Sequence, residues 1–261
     1  MMRVHPLHCL PGWSFTSSIF SELVSYLPAR LEPRLWELPG HGGSPDPAAN
    51  TLDGVVTAQV SSIGSATTYD NDKSRAEDGS IWLGWSLGGT MVVDMWRREL
   101  PIKALIMIAA TPRFCVAEDW PDAVQRSDLE AMIEALEKNP QAVVKRFRSN
   151  LASVSAADRQ AVRGVGQATQ AGLVAGLNAL LEADLRSVLD GLSEREVPSL
   201  WIGGDRDPLV PAAALECAAQ LAGGESCIIP EAGHLPHVTH SLTVAELIDD
   251  FVQRRISEPI E

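Results

Sequence analysis

Residues Ile81–Gly89 read IWLGWSLGG. An apolar run of strand type stops at a serine, and the residues two before and two after that serine are glycines. The helical pattern LGGTMVVDMWRREL follows at once. Together they predict a strand, a sharp turn and a helix. Gly84-Trp85-Ser86-Leu87-Gly88 fits the pattern G-x-S-x-G. Its logic is steric. A serine lifted to the tip of a strand-to-helix turn takes strained backbone angles, and bulky side chains two positions away would collide. The helix starting there aims its first N–H groups, that of Leu87 in particular, at the space beside the hydroxyl. The competing reading is a tight turn with an incidental serine. The strand before it and the helix after it argue against that.

Working outward, VHPLHCL reads as a strand, SSIFSELVSYL as a helix, RLWEL as a short strand stopped by Pro39-Gly40, and residues 52–66 as a helix. TTYDNDKSRAEDGS is polar and acidic and reads as a surface loop. KALIMIAA is the next strand. From about 112 to 190 only helical periodicity is found, in DLEAMIEALEKN, PQAVVKRFRSNLA, ADRQAVRGV and QAGLVAGLNALLEADL. Alternation then resumes with VPSLWIGG, PAAALECAAQLA, ESCIIPEA and VAELIDDFVQRR. Strands alternating with helices predict an α/β protein with a mostly parallel central sheet and helices on both faces. Residues 1–111 and 191–261 are expected to form that core, and 112–190 a helical lid inserted over one edge.

The chain has 261 residues, is 45% apolar and carries a net charge of -13. That charge repels polyanions, so neither nucleic acid nor an anionic membrane is an expected partner. No apolar run approaches the roughly 18 residues of a membrane span. No charged n-region precedes a long apolar segment at the N-terminus, so no signal peptide is expected. Cys9, Cys115, Cys217 and Cys227 form no CxxC pair and have no histidine at zinc spacing. They read as free thiols in a reducing compartment, which predicts a cytoplasmic protein without a metal.

A serine hydroxyl near neutral pH is a poor nucleophile. It needs a base, and the base needs an orienting acid. Downstream, WIGGDRDPLVP leaves a strand with Asp205 and Asp207, and IIPEAGHLPHV leaves the next with His234. Both lie just past the C-terminal ends of predicted strands, where doubly wound sheets place their sites. Asp207, further into the loop and before Pro208, is preferred as the acid; Asp205 is the alternative. His234 follows a glycine directly after a strand and is preferred as the base over His237 and His240. His41 in LPGHGGS reads as a turn residue, and His5 and His8 as strand residues.

In that order, WLGWSLGG, GDRDPLVP and AGHLPH resemble the α/β-hydrolase superfamily, and LPGHGGS is another of its common segments. Within it, ATPRFCVAEDWP and VKRFRSNL are similar to the lid of the pimeloyl-[acyl-carrier protein] methyl ester esterases of biotin synthesis. The resemblance implies an α/β-hydrolase fold and a serine carboxylesterase with Ser86 as nucleophile, His234 as base and Asp207 as acid. It implies an oxyanion held by the backbone N–H groups of Leu87 and Trp13, with Trp13, Trp85 and Phe147 against the substrate. It implies no cofactor, and an acyl carrier protein docked on Arg146, Arg159 and Arg163. One departure stands out. The family has His-Gly before the oxyanion residue where this chain has Pro11-Gly12-Trp13.

Residues 145–163 carry Lys145, Arg146, Arg148, Arg159 and Arg163 against Asp158, a local +4 in a chain of net -13. A solvated helical face is one reading; a patch that steers an acidic partner is the other. A monomer is expected. Two rival functions stay open: a general carboxylesterase or other hydrolase of the same fold with no carrier partner, and a ligand-binding relative without turnover.

Overall fold

The computed structural model describes residues 4–67, 79–152, 162 and 167–256. Strands β1 (His5–Leu10), β2 (Leu31–Leu35), β3 (Ser80–Trp85), β4 (Ile102–Ile108), β5 (Ser199–Gly204) and β6 (Glu225–Ile229) form one sheet in the order β2-β1-β3-β4-β5-β6. Every pairing in it is parallel. A 3-10 turn (Ser17–Phe20) leads into α1 (Ser21–Tyr26). The other helices are α2 (Leu52–Thr67), α3 (Leu87–Arg97), α4 (Arg126–Lys138), α5 (Pro140–Leu151), α6 (Gln170–Glu182), α7 (Arg186–Glu194), α8 (Ala212–Leu221), the short α9 (Pro236–Thr239) and α10 (Ser241–Arg255).

The strands read as continuous apolar runs because both faces of the sheet are covered. Ile81, Leu83 and Trp85 of β3 share one core with Ile106, Ile108, Leu200 and Ile202, closed by Phe20, Leu23, Ile248 and Phe251. Trp82, Leu105, Met107 and Trp201 point the other way, into a core built with Met91, Val92 and Met95 of α3 and with residues of α2, α6, α7 and α8. Strand period 2 thus sorts the side chains between two helical layers. His8 lies within the second layer, stacked between the rings of Trp36 and Trp82 and accepting a 2.9 Å hydrogen bond from Trp36 Nε1. His5 is also buried in β1.

Two local readings differ from the fold. The strand expected in RLWEL lies earlier: β2 ends at Leu35, and only the Trp36 N–H continues the ladder, donating to the Cys9 carbonyl at 3.0 Å. The pairing of β2 with β1, which runs from Leu31, decides this and outweighs the local apolar pattern. In addition, α7 runs across residue 190 and packs against α3 and α8. The polar segment at 68–78 and the helix expected in ADRQAVRGV, apart from Val162, lie outside the described residues.

The chain moves from β1 outward to β2 and then returns to the other side of β1 for β3. The loops after β1 and β3 therefore part at this switch point, where open parallel sheets form a crevice. Close approach there needs glycine. A Cβ on Gly84 would lie 2.5 Å from the Gly89 nitrogen, and one on Gly88 would lie 2.6 Å from the Pro11 carbonyl oxygen. Both obstacles are backbone and cannot rotate away. Gly88→Ala is expected to lower stability by about 1–3 kcal/mol, read as a lower urea midpoint at unchanged slope.

Candidate active site

Ser86 sits between β3 and α3 with φ 54° and ψ -121°, a conformation rare for a residue with a side chain. Its N–H donates to the Ile108 carbonyl at 3.0 Å, and its own carbonyl accepts from Gly89 and Thr90 N–H. The turn is thus held from the neighbouring strand and from its own helix. Ser86 is 9% exposed, so its oxygen sits at the floor of the crevice.

Asp207 lies in the loop after β5 and is buried. Its Oδ1 accepts from Leu209 N–H at 2.8 Å and Val210 N–H at 3.1 Å. Its Oδ2 lies 2.8 Å from Nδ1 of His234, and Nε2 of His234 lies 3.0 Å from Ser86 Oγ. With Nδ1–H donating to the carboxylate, Nε2 is left to accept from the serine hydroxyl. The His234 loop reaches this place because Gly204 ends β5: a Cβ there would lie 2.6 Å from the Gly233 carbonyl oxygen. Trp85 Nε1 donates to the His234 carbonyl at 2.9 Å and braces the loop from below.

The alternatives fall elsewhere. Asp205 is exposed. His240 bonds to Thr239 Oγ1 at 2.9 Å, away from the serine. His237 is fully buried behind His234, with its ring 4.7 Å from that of Trp85 and 5.3 Å from that of Phe20. Neither of its ring nitrogens has a hydrogen-bond partner among the described residues. Burial, with a smaller contribution from the neighbouring His234, pushes its pKa down to about 3. His41, read from sequence as a turn residue, does more than turn the chain. Its Nδ1 lies 3.0 Å from the Pro39 carbonyl, and its Nε2 accepts from Ser14 N–H at 3.2 Å. Burial lowers its pKa, which suits the neutral tautomer this pair of bonds requires.

The loop after β1 closes over the serine. A Cβ on Gly12 would lie 3.1 Å from Ser86 Cβ, a tight contact that brings this loop directly against the serine. The next residue is Trp13. Trp13 and Leu87 are buried residues, and no backbone carbonyl among the described residues accepts from the amide of either. Two unspent donors beside a hydroxyl are what a developing oxyanion requires. The Trp13 indole is tied down by a 2.8 Å bond from Nε1 to the Leu173 carbonyl of α6. The Phe147 ring of α5 meets it edge-on at 4.9 Å. Phe147 packs against both core layers, whereas Trp85 stays in the layer below the sheet with Phe15, His234 and His237.

Helix α5 is placed by its own start. Asn139 caps it, accepting from Ala142 N–H at 3.0 Å, and Pro140 takes the first helical position. Its basic residues do not form one patch. Lys145 and Arg146 are exposed, whereas Arg148 turns inward, donates to the Ser14 carbonyl and lies 4.6 Å over the Phe15 ring. Arg159 and Arg163 lie outside the described residues. Among the described residues no cluster of His, Cys, Asp and Glu could hold a metal, and no helix is long and apolar enough to cross a membrane.

The buried histidines give a pH dependence of known sign. Burial, aided by Arg34, lowers His8 to about 4. In the unfolded chain both His8 and His237 take up a proton below about pH 6.5. Folded, they stay neutral well below that. Stability is therefore complete above the unfolded value and is lost as pH falls from there towards 4, by about 1.4 kcal/mol per pH unit for each ring. His237→Phe, similar in shape and free of polar atoms, is expected to remove one ring's share of that slope and to raise stability at pH 5. Urea midpoints measured between pH 7 and 4.5 test both.

Residues 8–247 match the alpha/beta hydrolase family. The chain is 35% identical over 255 residues to the pimeloyl-[acyl-carrier protein] methyl ester esterase of Xanthomonas campestris pv. campestris (strain B100), covering 93% of both proteins. It is also 35% identical over 249 residues to the enzyme of that name from Stenotrophomonas maltophilia (strain R551-3), covering 92% of this chain and 90% of that protein. Among solved structures, the esterase EaEST from Exiguobacterium antarcticum superposes with a TM-score of 0.79 at 18% identity, covering 97% of this chain and 93% of that one. MenH from S. aureus superposes at 0.78 and 17%, covering 97% and 95%.

Proposed function

Because the chain belongs to the alpha/beta hydrolase family and is a carboxylic ester hydrolase, we propose that it cleaves the methyl ester of a pimeloyl chain carried on acyl carrier protein, a step of biotin synthesis. The observation that carries this reading is similarity to esterases of that name across nearly the full length of both chains. The Ser86–His234–Asp207 line supports it with a chemistry suited to esters.

In the proposed mechanism Ser86 Oγ attacks the ester carbonyl as His234 Nε2 takes its proton. Asp207 keeps Nδ1–H pointed at itself and stabilises the imidazolium, with Leu209 and Val210 N–H holding the carboxylate in place. The negative charge forming on the carbonyl oxygen falls between the Trp13 and Leu87 amides. His234 returns the proton to the departing methoxide, which leaves as methanol. Water, deprotonated by the same imidazole, then attacks the acyl-enzyme and frees the carboxylate and Ser86. This route requires no metal and no organic cofactor. Trp13 and Phe147 border the acyl chain on the side of α5 and α6, and Trp85 acts from behind by bracing His234.

The exposed Arg146, together with Arg159 and Arg163, is proposed to meet the acidic carrier. Helices α4 to α6, within the segment 112–190, act as the lid over the acyl chain. The protein works in the cytoplasm as a monomer.

Ser86→Ala is expected to lower kcat on a methyl ester by at least about 10⁴ and Asp207→Asn by about 10⁴, with the fold intact by circular dichroism. Ser86→Ala should also fail to restore growth of a biotin-requiring strain that lacks its own methyl esterase. Hydrolysis by Ser86→Ala at the parent rate would refute the assignment. Arg146→Ala is expected to raise KM for the carrier-linked ester more than for the free methyl ester, with a gap that closes as salt rises. Equal effects on the two substrates would remove the carrier from the proposal.

A further inference from the structure

Ser14 is the residue after Trp13, and it holds φ 67°. For a residue with a Cβ that is a sparsely populated state, kept only where its surroundings over-determine it. The surroundings here come from two distant parts of the chain. His41, in the loop after β2, accepts from the Ser14 N–H at 3.2 Å. Arg148, two turns into α5, donates to the Ser14 carbonyl. The peptide groups on both sides of Ser14 are thus each held by a side chain.

Each anchor is itself fixed. The His41 ring is set by its contact with the Pro39 carbonyl. The Arg148 guanidinium lies 4.6 Å over the ring of Phe15, the next residue of the same loop. The turn is closed by Phe15 N–H donating to the Gly12 carbonyl at 3.2 Å. The Gly12 carbonyl shares a planar peptide group with the Trp13 N–H, and the Phe15 N–H shares one with the Ser14 carbonyl, so this turn bond ties the Trp13 amide to the peptide group that Arg148 holds. If Ser14 relaxed to negative φ, the Phe15 N–H would leave the Gly12 carbonyl, and the peptide group that carries the Trp13 N–H would lose that hold. The helix that carries Arg148 also places Phe147 against the Trp13 indole, so both contacts are lost if α5 lifts.

We propose that Arg148 and His41 are positioning residues which, by clamping the two peptide groups of Ser14, hold the Trp13 amide in place, so that the oxyanion site is complete only while α5 is seated. The inference rests on the ester-hydrolase mechanism above and adds to it. Closure of the helical segment prepares the chemistry as well as covering the acyl chain.

The test compares Arg148→Met, Arg148→Lys, His41→Phe and the double variant Ser14→Gly/Arg148→Met with the parent chain. Methionine keeps much of the stem and removes the donor; lysine restores one donor; glycine holds positive φ without a clamp. Urea midpoints identify variants that fold. Kinetics on a free methyl ester give kcat and KM, and a trifluoromethyl ketone serves as the tetrahedral mimic. For Arg148→Met and His41→Phe, kcat is expected to fall about 10- to 100-fold with KM within about twofold, and affinity for the ketone to fall in parallel. Arg148→Lys and the double variant should each recover part of the loss.

Unchanged kcat in both single variants would overturn the proposal, as would losses confined to KM or to the urea midpoint. A double variant as impaired as Arg148→Met would overturn it too. A parent chain that hydrolyses no ester and is not labelled at Ser86 by a fluorophosphonate would instead bring down the hydrolase mechanism, and the clamp with it.

Discussion

The imidazole of His234, held between the Asp207 carboxylate at 2.8 Å and the Ser86 hydroxyl at 3.0 Å, is the contact around which the crevice is organised. Three loops from three strands must converge for it to form. Glycines leave room for that convergence: Gly84 and Gly88 around the serine and Gly204 beneath the histidine loop, with Gly12 of a fourth loop, after β1, over the serine. Besides Ala109 after β4 and Glu231 in the histidine loop, two side-chain-bearing residues beside the site take positive φ, Ser86 and Ser14. Both are held by hydrogen bonds from elements other than their own loops, as strained backbone requires.

The parallel sheet makes that convergence possible. All strands run the same way, so all their C-terminal loops emerge at one edge. The order β2-β1-β3 parts two of them and opens the crevice. Burial on both faces keeps the strands rigid, and a rigid platform lets short loops hold a proton-transfer distance. Burial also lowers the pKa of His8 in β1 and of His237 in α9, which favours their neutral rings.

The residues around 145–163 show how a local pattern divides once the chain is folded. As a sequence it is a basic stretch of net +4. Folded, α5 presents Lys145 and Arg146 outward and turns Phe147 and Arg148 inward, because neighbouring positions on a helix point about 100° apart. One charge reads the outside of the protein and another grips the loop beneath it. Charge counting cannot separate the two, since both contribute equally to a sum.

Much of the site was legible in the chain because its signals are local. G-x-S-x-G between a strand and a helix points to Ser86, and Gly-Asp-Arg-Asp-Pro and Gly-His directly after strands point to Asp207 and His234. Local steric rules govern those turns, and steric rules are written in adjacent residues. The two-layer α/β organisation was legible for the same reason, through apolar runs of strand length alternating with helical periods. Which of Asp205 and Asp207 turns inward is a matter of how that loop packs: it brings Asp207 to His234 and leaves Asp205 exposed. The start and end of β2 were set by pairing with β1. The contacts of His41 and Arg148 with Ser14 lay beyond sequence reading altogether. They span 27 and 134 residues, and nothing in a residue's neighbours along the chain records which distant carbonyl or amide it will meet. The sequence by itself determined the turns and the order of the layers, through local sterics and apolar periodicity. The tertiary structure alone decided which side chains hold those turns in place, because that is a matter of distance in space.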